Sequence, residues 1–385
     1  MPEKIVLVTA GGAISSFHAA MKEMHEVLNE RVFGRFELLG AWGGLKGLTN
    51  GEFERIYHED LEEDRGGSLI GADRKIADTL NIIDTIKNNN IYAIVMMGGN
   101  NHLGEAAKLF KDAKLNIVGY PKTMDFDLSS FITLGYESAV TVGAKAARHH
   151  HNTAMTARRV FYEGLFGRDT DWVPCAVSLY GGADRCIPCE QGYEWDFVWE
   201  KINQSLNENE KKYGVAFAVV PFSEGAKIKG VNEPPKEHRS YDEHGEPKLQ
   251  PEWVGLELVR LTKGEKCASA FECYTYSMRD SPPTETDKKL SRMAGRECIE
   301  MILEGDFGKA AIFKPHEDFY EADRAPLEAV AVQRKLKQTG FFDYDELTPT
   351  GTFQETYGNL FRGSLGKPPE KDELVYRNML RKHKL

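Results

Sequence analysis

No apolar run in the 385 residues reaches the length needed to cross a membrane. Nor does a basic stretch followed by a long apolar one open the chain, so no secretion leader is expected. Cysteine is scarce: six residues are too few for a disulfide scaffold at this length, and a reducing cytoplasm is the expected compartment. Positive charge is outnumbered, with 49 Lys and Arg against 59 Asp and Glu and a formal net charge of −10. That balance argues against nucleic acid as a partner, and an anionic ligand would need a local cluster of cations. No repeat of solenoid length is present. What the chain does have is apolar residues enough (41%) for a large core, at a length that predicts two domains.

The first half alternates short apolar segments with helix-like ones. Residues 5–8, 36–39, 91–97 and 115–118 read as strands, and helix-like stretches cover about 16–30 and 103–112. Near-continuous apolar strands joined by helices predict a parallel sheet buried on both faces. A second series begins near Thr141 with a helix rich in alanine and arginine. Residues 159–162, 186–188 and 214–221 read as strands, 227–252 as a polar surface insertion, and 290–303 as an amphipathic helix. Glycines recur at the carboxyl ends of the strands, where open α/β sheets bind ligands.

The loop after residues 115–118 carries Pro121, Lys122, Thr123, Asp125, Asp127 and Leu128. A cation able to hold phosphate lies three residues before an acid able to take a proton, a pairing suited to phosphoryl transfer. A polar loop with ordinary helix caps is the alternative reading. Gly98-Gly99-Asn100-Asn101-His102 follows a buried strand; two glycines let backbone approach a phosphate, or serve only a tight turn. Arg65 and Arg74 flank a glycine-rich loop and offer forked donors for phosphate, or are solvated. Gly167-Arg168 and Glu224-Gly225 each follow a strand, and Arg159 lies upstream. Cys186 and Cys189 have the spacing of a metal or redox pair, but no second pair matches it. His149-His150-His151 is expected to be a solvated or capping cluster on a helix, since consecutive helical residues diverge.

The order of these pieces resembles the phosphofructokinase family, in places its pyrophosphate-dependent branch, over about residues 4–315. The loop at Pro121 resembles the family's Pro-Lys-Thr-Ile-Asp-Gly-Asp-Leu motif. Residues 133–139 resemble the Phe-Gly-Phe-x-Thr-Ala that follows it. Gly167-Arg168 resembles Met-Gly-Arg, and Glu224-Gly225 the glutamate after the next strand. Tyr276 to Arg279, then Asp287 and Met293 to Gly295, resemble the Tyr-x-x-Arg to Leu-Gly segment. The resemblance implies an α/β fold of two Rossmann-like domains with mainly parallel sheets and an active site in the cleft between them. Residues 1–148, completed by about 280–315, would bind the phosphoryl donor. Residues 149–279 would bind a sugar phosphate, and 316–385 would form a docking or interface segment.

The resemblance also assigns roles. Asp125 would be the base and Asp127 would orient the site or help hold Mg²⁺. Lys122 would neutralise pyrophosphate, since family members that use ATP commonly carry glycine there. Gly11, Gly12, Arg74, Gly98, Gly99, Asn100 and Asn101 would line the donor site, with Asn100 and Asp127 as metal ligands. Arg168, Thr123 and Gly167 would lie near the transferring phosphate, Glu224 would bind sugar hydroxyls, and Tyr276 and Arg279 the sugar's phosphate. Arg159 would serve a neighbouring subunit, implying a homo-oligomer, a dimer or tetramer. The chain departs from the family where Asn100 replaces an acid, where the loop 11–18 lacks the family's acid and Pro-Gly, and where an arginine expected near Ala270 is missing. The implied function is phosphoryl transfer from pyrophosphate, or ATP, to a sugar phosphate such as fructose 6-phosphate. A degenerate paralogue that binds sugar phosphate or nucleotide without chemistry is the alternative.

Overall fold

The computed structural model describes residues 2–73, 78–241, 248–263, 265 and 267–376. The chain divides into two compact units, Met1–Ser138 with Arg279–Arg334, and Ala139–Met278 with Lys335–Leu385.

The first unit is built on a seven-stranded sheet in the order Phe319–Pro326, Lys309–His316, Ile117–Pro121, Ile91–Gly98, Glu3–Thr9, Phe36–Ala41, Phe53–Arg55. The five inner strands are parallel, and the two edge strands run antiparallel to their neighbours. The near-continuous apolar runs explain the burial. Val6 sits opposite Ile94, and Ile94 opposite Ile117, all closed off from water. Both faces are covered by helices, as a parallel sheet requires. The helix expected at 290–303 runs from Glu285 to Glu304 and packs on the helix Phe17–Val32. Thr284 caps it by accepting from Asp287 N at 3.2 Å. The buried Asp287 carboxylate in turn accepts from Gly135 N (3.1 Å) and Ser138 Oγ (2.7 Å), tying the helix to the segment after the two acids.

The second unit holds a three-stranded parallel sheet, Ala268–Cys273, Arg159–Leu165, Ala218–Ser223. Alternate residues Val160, Tyr162, Ala218, Val220 and Phe222 face a core with Val198, Ile202 and Leu206 of the helix Trp195–Tyr213. The strand expected at 186–188 reduces to one bridge, Ile187 with Phe222: it extends the sheet by a single residue. The expected insertion 227–252 contains a short strand, Lys227–Lys229, and leads into the helix Pro251–Thr262; residues 242–247 lie outside the described residues. The helix Gly351–Phe361 packs into this unit by aromatic contacts, Tyr357 on Trp172 (6.2 Å) and Phe361 on Tyr180 (4.5 Å between centroids). Among the described residues no helix is long and apolar enough to cross a membrane.

Candidate active site

In the first unit, three loops meet at the carboxyl ends of neighbouring parallel strands. Ala10 N donates to Met97 O (2.9 Å) and Lys122 N to Gly98 O (3.1 Å), so the Gly11, Gly98 and Lys122 loops are held by backbone bonds. Gly11 has φ +85°, a conformation that favours glycine. A side chain there would meet the Lys122 ammonium at 3.1 Å and the His102 ring at 3.4 Å. Lys122 is buried, and its Nζ donates to Gly12 O at 2.7 Å. Arg279 lies on the other side: its Nη1 is 1.6 Å from where a Gly12 Cβ would be. Any side chain at 12 would therefore displace the guanidinium packed on it. A lysine and an arginine, with an imidazole beside them, thus surround one glycine loop, a local concentration of positive charge inside an acidic protein.

The expected set divides here. Arg279, expected at the sugar's phosphate with Tyr276, belongs to the first unit and packs on Gly12; Tyr276 belongs to the second. Arg74 lies outside the described residues. Its predecessor Asp73 adjoins the site: Gly11 N donates to Asp73 O (2.6 Å), and the Asp73 carboxylate accepts from Leu45 N and Lys46 N at 3.1 and 3.2 Å. Gly99 caps the helix Asn100–Ala113 at its N-terminus. Within that first turn, Asn101 N donates to Asn100 Oδ1 at 2.9 Å. Sequence reading gave His102 no role, although its place three residues after Gly99 at a helix start was a usable signal.

The two-acid turn follows directly. Thr123 O accepts from Thr133 Oγ1 (2.6 Å), and Thr123 Oγ1 accepts from Asp125 N (3.1 Å). Asp125 is half-buried and Asp127 buried. Gln333 Nε2 donates to Asp127 Oδ2 at 2.9 Å. Burial first, and then the Asp125 charge beside it, push the Asp127 carboxyl up to about 6; the Gln333 bond pulls the other way. A divalent cation at the buried Asp127 would offset the cost of charging its carboxylate there. Among the described residues no three His, Cys, Asp or Glu are grouped to hold a metal. The fit is to Mg²⁺, which takes one or two carboxylates, keeps waters and draws other ligands from phosphates.

In the second unit, the strand ends bring Gly167, Arg168 and Glu224 together. Gly225 N donates to Gly167 O (3.0 Å), and Glu224 N to Leu165 O (2.9 Å). Gly225 lies so close to Arg168 O that a Cβ would come within 2.3 Å. Tyr276 is 75% exposed and meets Phe166 edge-on at 6.2 Å. Arg168 is also exposed. Arg159 starts the strand that Leu165 ends, about 20 Å away by the rise of an extended chain. It is half-buried, and its Nε has no hydrogen-bond partner.

The histidine triplet departs from the solvated cluster expected of it. Only His149 is exposed. His150 stacks on Phe161 at 4.0 Å, and His151 is fully buried, with its pKa lowered to about 3 chiefly by burial. Three consecutive positions on the helix Tyr136–Ala157 necessarily point to different sides, and two of those sides are packed. Cys186 and Cys189 are both buried free thiols that burial pushes upward, a packing role.

The sequence pattern of the family described as Phosphofructokinase matches residues 4–302, most of the chain. The chain belongs to the phosphofructokinase family. Relatives of two kinds resemble it. The pyrophosphate–fructose 6-phosphate 1-phosphotransferase of Thermoproteus tenax is 27% identical over 314 residues, 79% of this chain and 87% of that one. The ATP-dependent 6-phosphofructokinase 3 of Bacteroides thetaiotaomicron is 26% identical over 347 residues, 86% and 94% of the two chains. The crystal structure of the pyrophosphate-dependent phosphofructokinase from Marinobacter aquaeolei superposes with a TM-score of 0.80 at 17% identity, covering 96% of this chain and 94% of that one. The likeness is one of fold, and it spans both units of the chain.

Proposed function

We propose that this phosphofructokinase transfers a phosphoryl group from pyrophosphate to a hydroxyl of fructose 6-phosphate or a close relative of that sugar phosphate. The observation that carries the donor choice is Lys122, a buried ammonium held on Gly12 O beside Arg279 and His102. An enclosed ammonium acts strongly on phosphate oxygens brought beside it, because little water screens the two charges. ATP-using members commonly carry glycine at this position. Lys122 and Arg279 would neutralise the donor, whose phosphates the Gly11 and Gly98 loops approach at close range. Asp125, less buried than Asp127, would take the proton of the attacking hydroxyl. Asp127 and the Asn100 amide oxygen are the groups that would hold Mg²⁺, which when bound offsets charge on the transferring phosphoryl group. In the second unit Arg168, Gly167 and Glu224 would meet the acceptor, with Tyr276 at its phosphate. Arg159, far along its strand from that group, would serve a second copy of the chain, so the active form is read as a homo-oligomer in the cytoplasm.

The test is a donor assay of purified protein with Mg²⁺, fructose 6-phosphate and either pyrophosphate or ATP. Turnover with pyrophosphate and at least tenfold less with ATP is the result expected, about 1.4 kcal/mol of discrimination. Preference for ATP would overturn the donor reading. A second reading, binding without chemistry, has one observation in its favour: Asn100 replaces an acid and its Oδ1 already accepts from Asn101 N. Calorimetry showing tight fructose 6-phosphate binding with no turnover from either donor would establish it.

A further inference from the structure

The turn that carries Asp125 and Asp127 is held by a segment that lies after the family-matched residues and about two hundred residues away in sequence. Leu128 and Gln333 pair as an antiparallel bridge. Ser129 N donates to Val330 O (3.1 Å) and Ser129 Oγ to Val332 O (2.9 Å). Arg334 N donates to Asp127 O at 2.7 Å, while Arg334 Nη2 donates to Phe126 O (3.1 Å) and Phe131 O (3.4 Å). Gln333 reaches the Asp127 carboxylate itself.

Between the two acids sits Phe126, at φ +58°. A bulky side chain in the left-handed region is strained and persists only where its surroundings hold it there. Here they do. The fully buried Phe126 ring stacks on Tyr136 at 4.0 Å and 22°, and the Arg334 guanidinium lies 5.3 Å from its centroid. The ring anchors one side of the turn and the strap 330–334 the other, so the two carboxylates on either side of Phe126 point where these contacts aim them.

We infer that Gln333 and Arg334 are positioning residues for the proposed phosphoryl transfer, acting through the Asp125–Asp127 turn without touching substrate. The inference rests on the phosphotransferase reading above. A misplacement of about 1 Å at a reacting group costs on the order of a hundredfold in rate. Gln333→Leu and Arg334→Lys, made in the full chain, should therefore lower kcat by about 10- to 100-fold and leave KM for fructose 6-phosphate and for pyrophosphate within about twofold. Arg334→Lys keeps the charge over Phe126 but cannot fork to two carbonyls, so it should fall between wild type and Arg334→Ala. In an Asp127→Asn background, Gln333→Leu should cause no further loss, because its route to catalysis has already been removed. Thermal melting checks that each variant folds.

A Gln333→Leu enzyme with wild-type kcat overturns the inference and leaves the reading intact. So do losses that multiply in the double variant, which mark a general structural role. A wild-type protein that turns over neither pyrophosphate nor ATP overturns the reading and the inference with it.

Discussion

The strand-end loops of the two units are made of similar parts and are built differently. In the first unit the charged groups are enclosed: Lys122 and Asp127 are buried, and each is bonded to backbone or amide from another loop. In the second unit Arg168 and Tyr276 stand exposed, while the backbone beneath them, Gly167 against Gly225, is tightly fixed. Enclosed charges are pre-oriented and strongly felt, because little water screens them. Exposed charges gain less from each contact and cost less to replace. The first arrangement suits bond-making; the second suits capture of a ligand that must also leave.

That contrast can be broken by experiment, beginning with the largest effect. Asp125→Asn should lower kcat with pyrophosphate and fructose 6-phosphate by about 10²- to 10⁴-fold, the range of a lost general base. A loss below tenfold would move the base elsewhere. Lys122→Met keeps the side-chain length and removes the charge. It should cost about 10²- to 10³-fold in kcat/KM for pyrophosphate, as expected of an enclosed electrostatic group. Steady-state kinetics with the donor varied reads this directly, and an effect confined to the sugar would undo the assignment.

Arg168→Ala, at the exposed site, should raise KM for fructose 6-phosphate about tenfold while the melting temperature stays unchanged. An Arg168 effect as large as that of Lys122 would erase the distinction between the units. The smallest effect concerns Glu163, whose two carboxylate oxygens are fully buried without a hydrogen-bond partner. Burial first, then the nearby Glu272, hold its pKa well above the ordinary carboxylate value. A raised folded-state pKa contributes stability that is full below the ordinary carboxylate range and is lost as pH rises through the folded value. Glu163→Gln should therefore flatten the decline of melting temperature toward alkaline pH and change kcat by no more than about twofold. Melting curves recorded from the acid to the alkaline side of neutrality test it; an unchanged slope refutes it.

Much of the first unit was legible in the sequence because it depends on local pattern. The apolar runs 91–97 and 5–8 are the inner strands, and the glycines after them are loop positions where the backbone must approach its neighbours. Lys122, Asp125 and Asp127 fall together because six consecutive residues place them. What was not legible is long-range. Nothing in the composition of 330–334 signals that it straps Asp127, since the contact spans 206 positions. The resemblance groups Arg279 with Tyr276, and it carried no sign that the Arg279 guanidinium packs on Gly12. The His149-His150-His151 triplet showed its spacing but not which sides of its helix would be covered. In the second unit the same limit holds: Arg159 and Arg168 are near in sequence, but an extended strand carries them far apart.

The left-handed Phe126 bears on how close homologues of this chain vary. A positive φ normally restricts a position to glycine or asparagine, and the family motif has glycine there. Phe126 is accommodated here by two distant neighbours, Tyr136 beneath the ring and Arg334 beside it. Loss of either neighbour leaves the strain without its compensation, so the three positions are not free to drift singly. Among close homologues of this chain, an aromatic residue at 126 should travel with an aromatic at 136 and an arginine at 334, and glycine at 126 should release both.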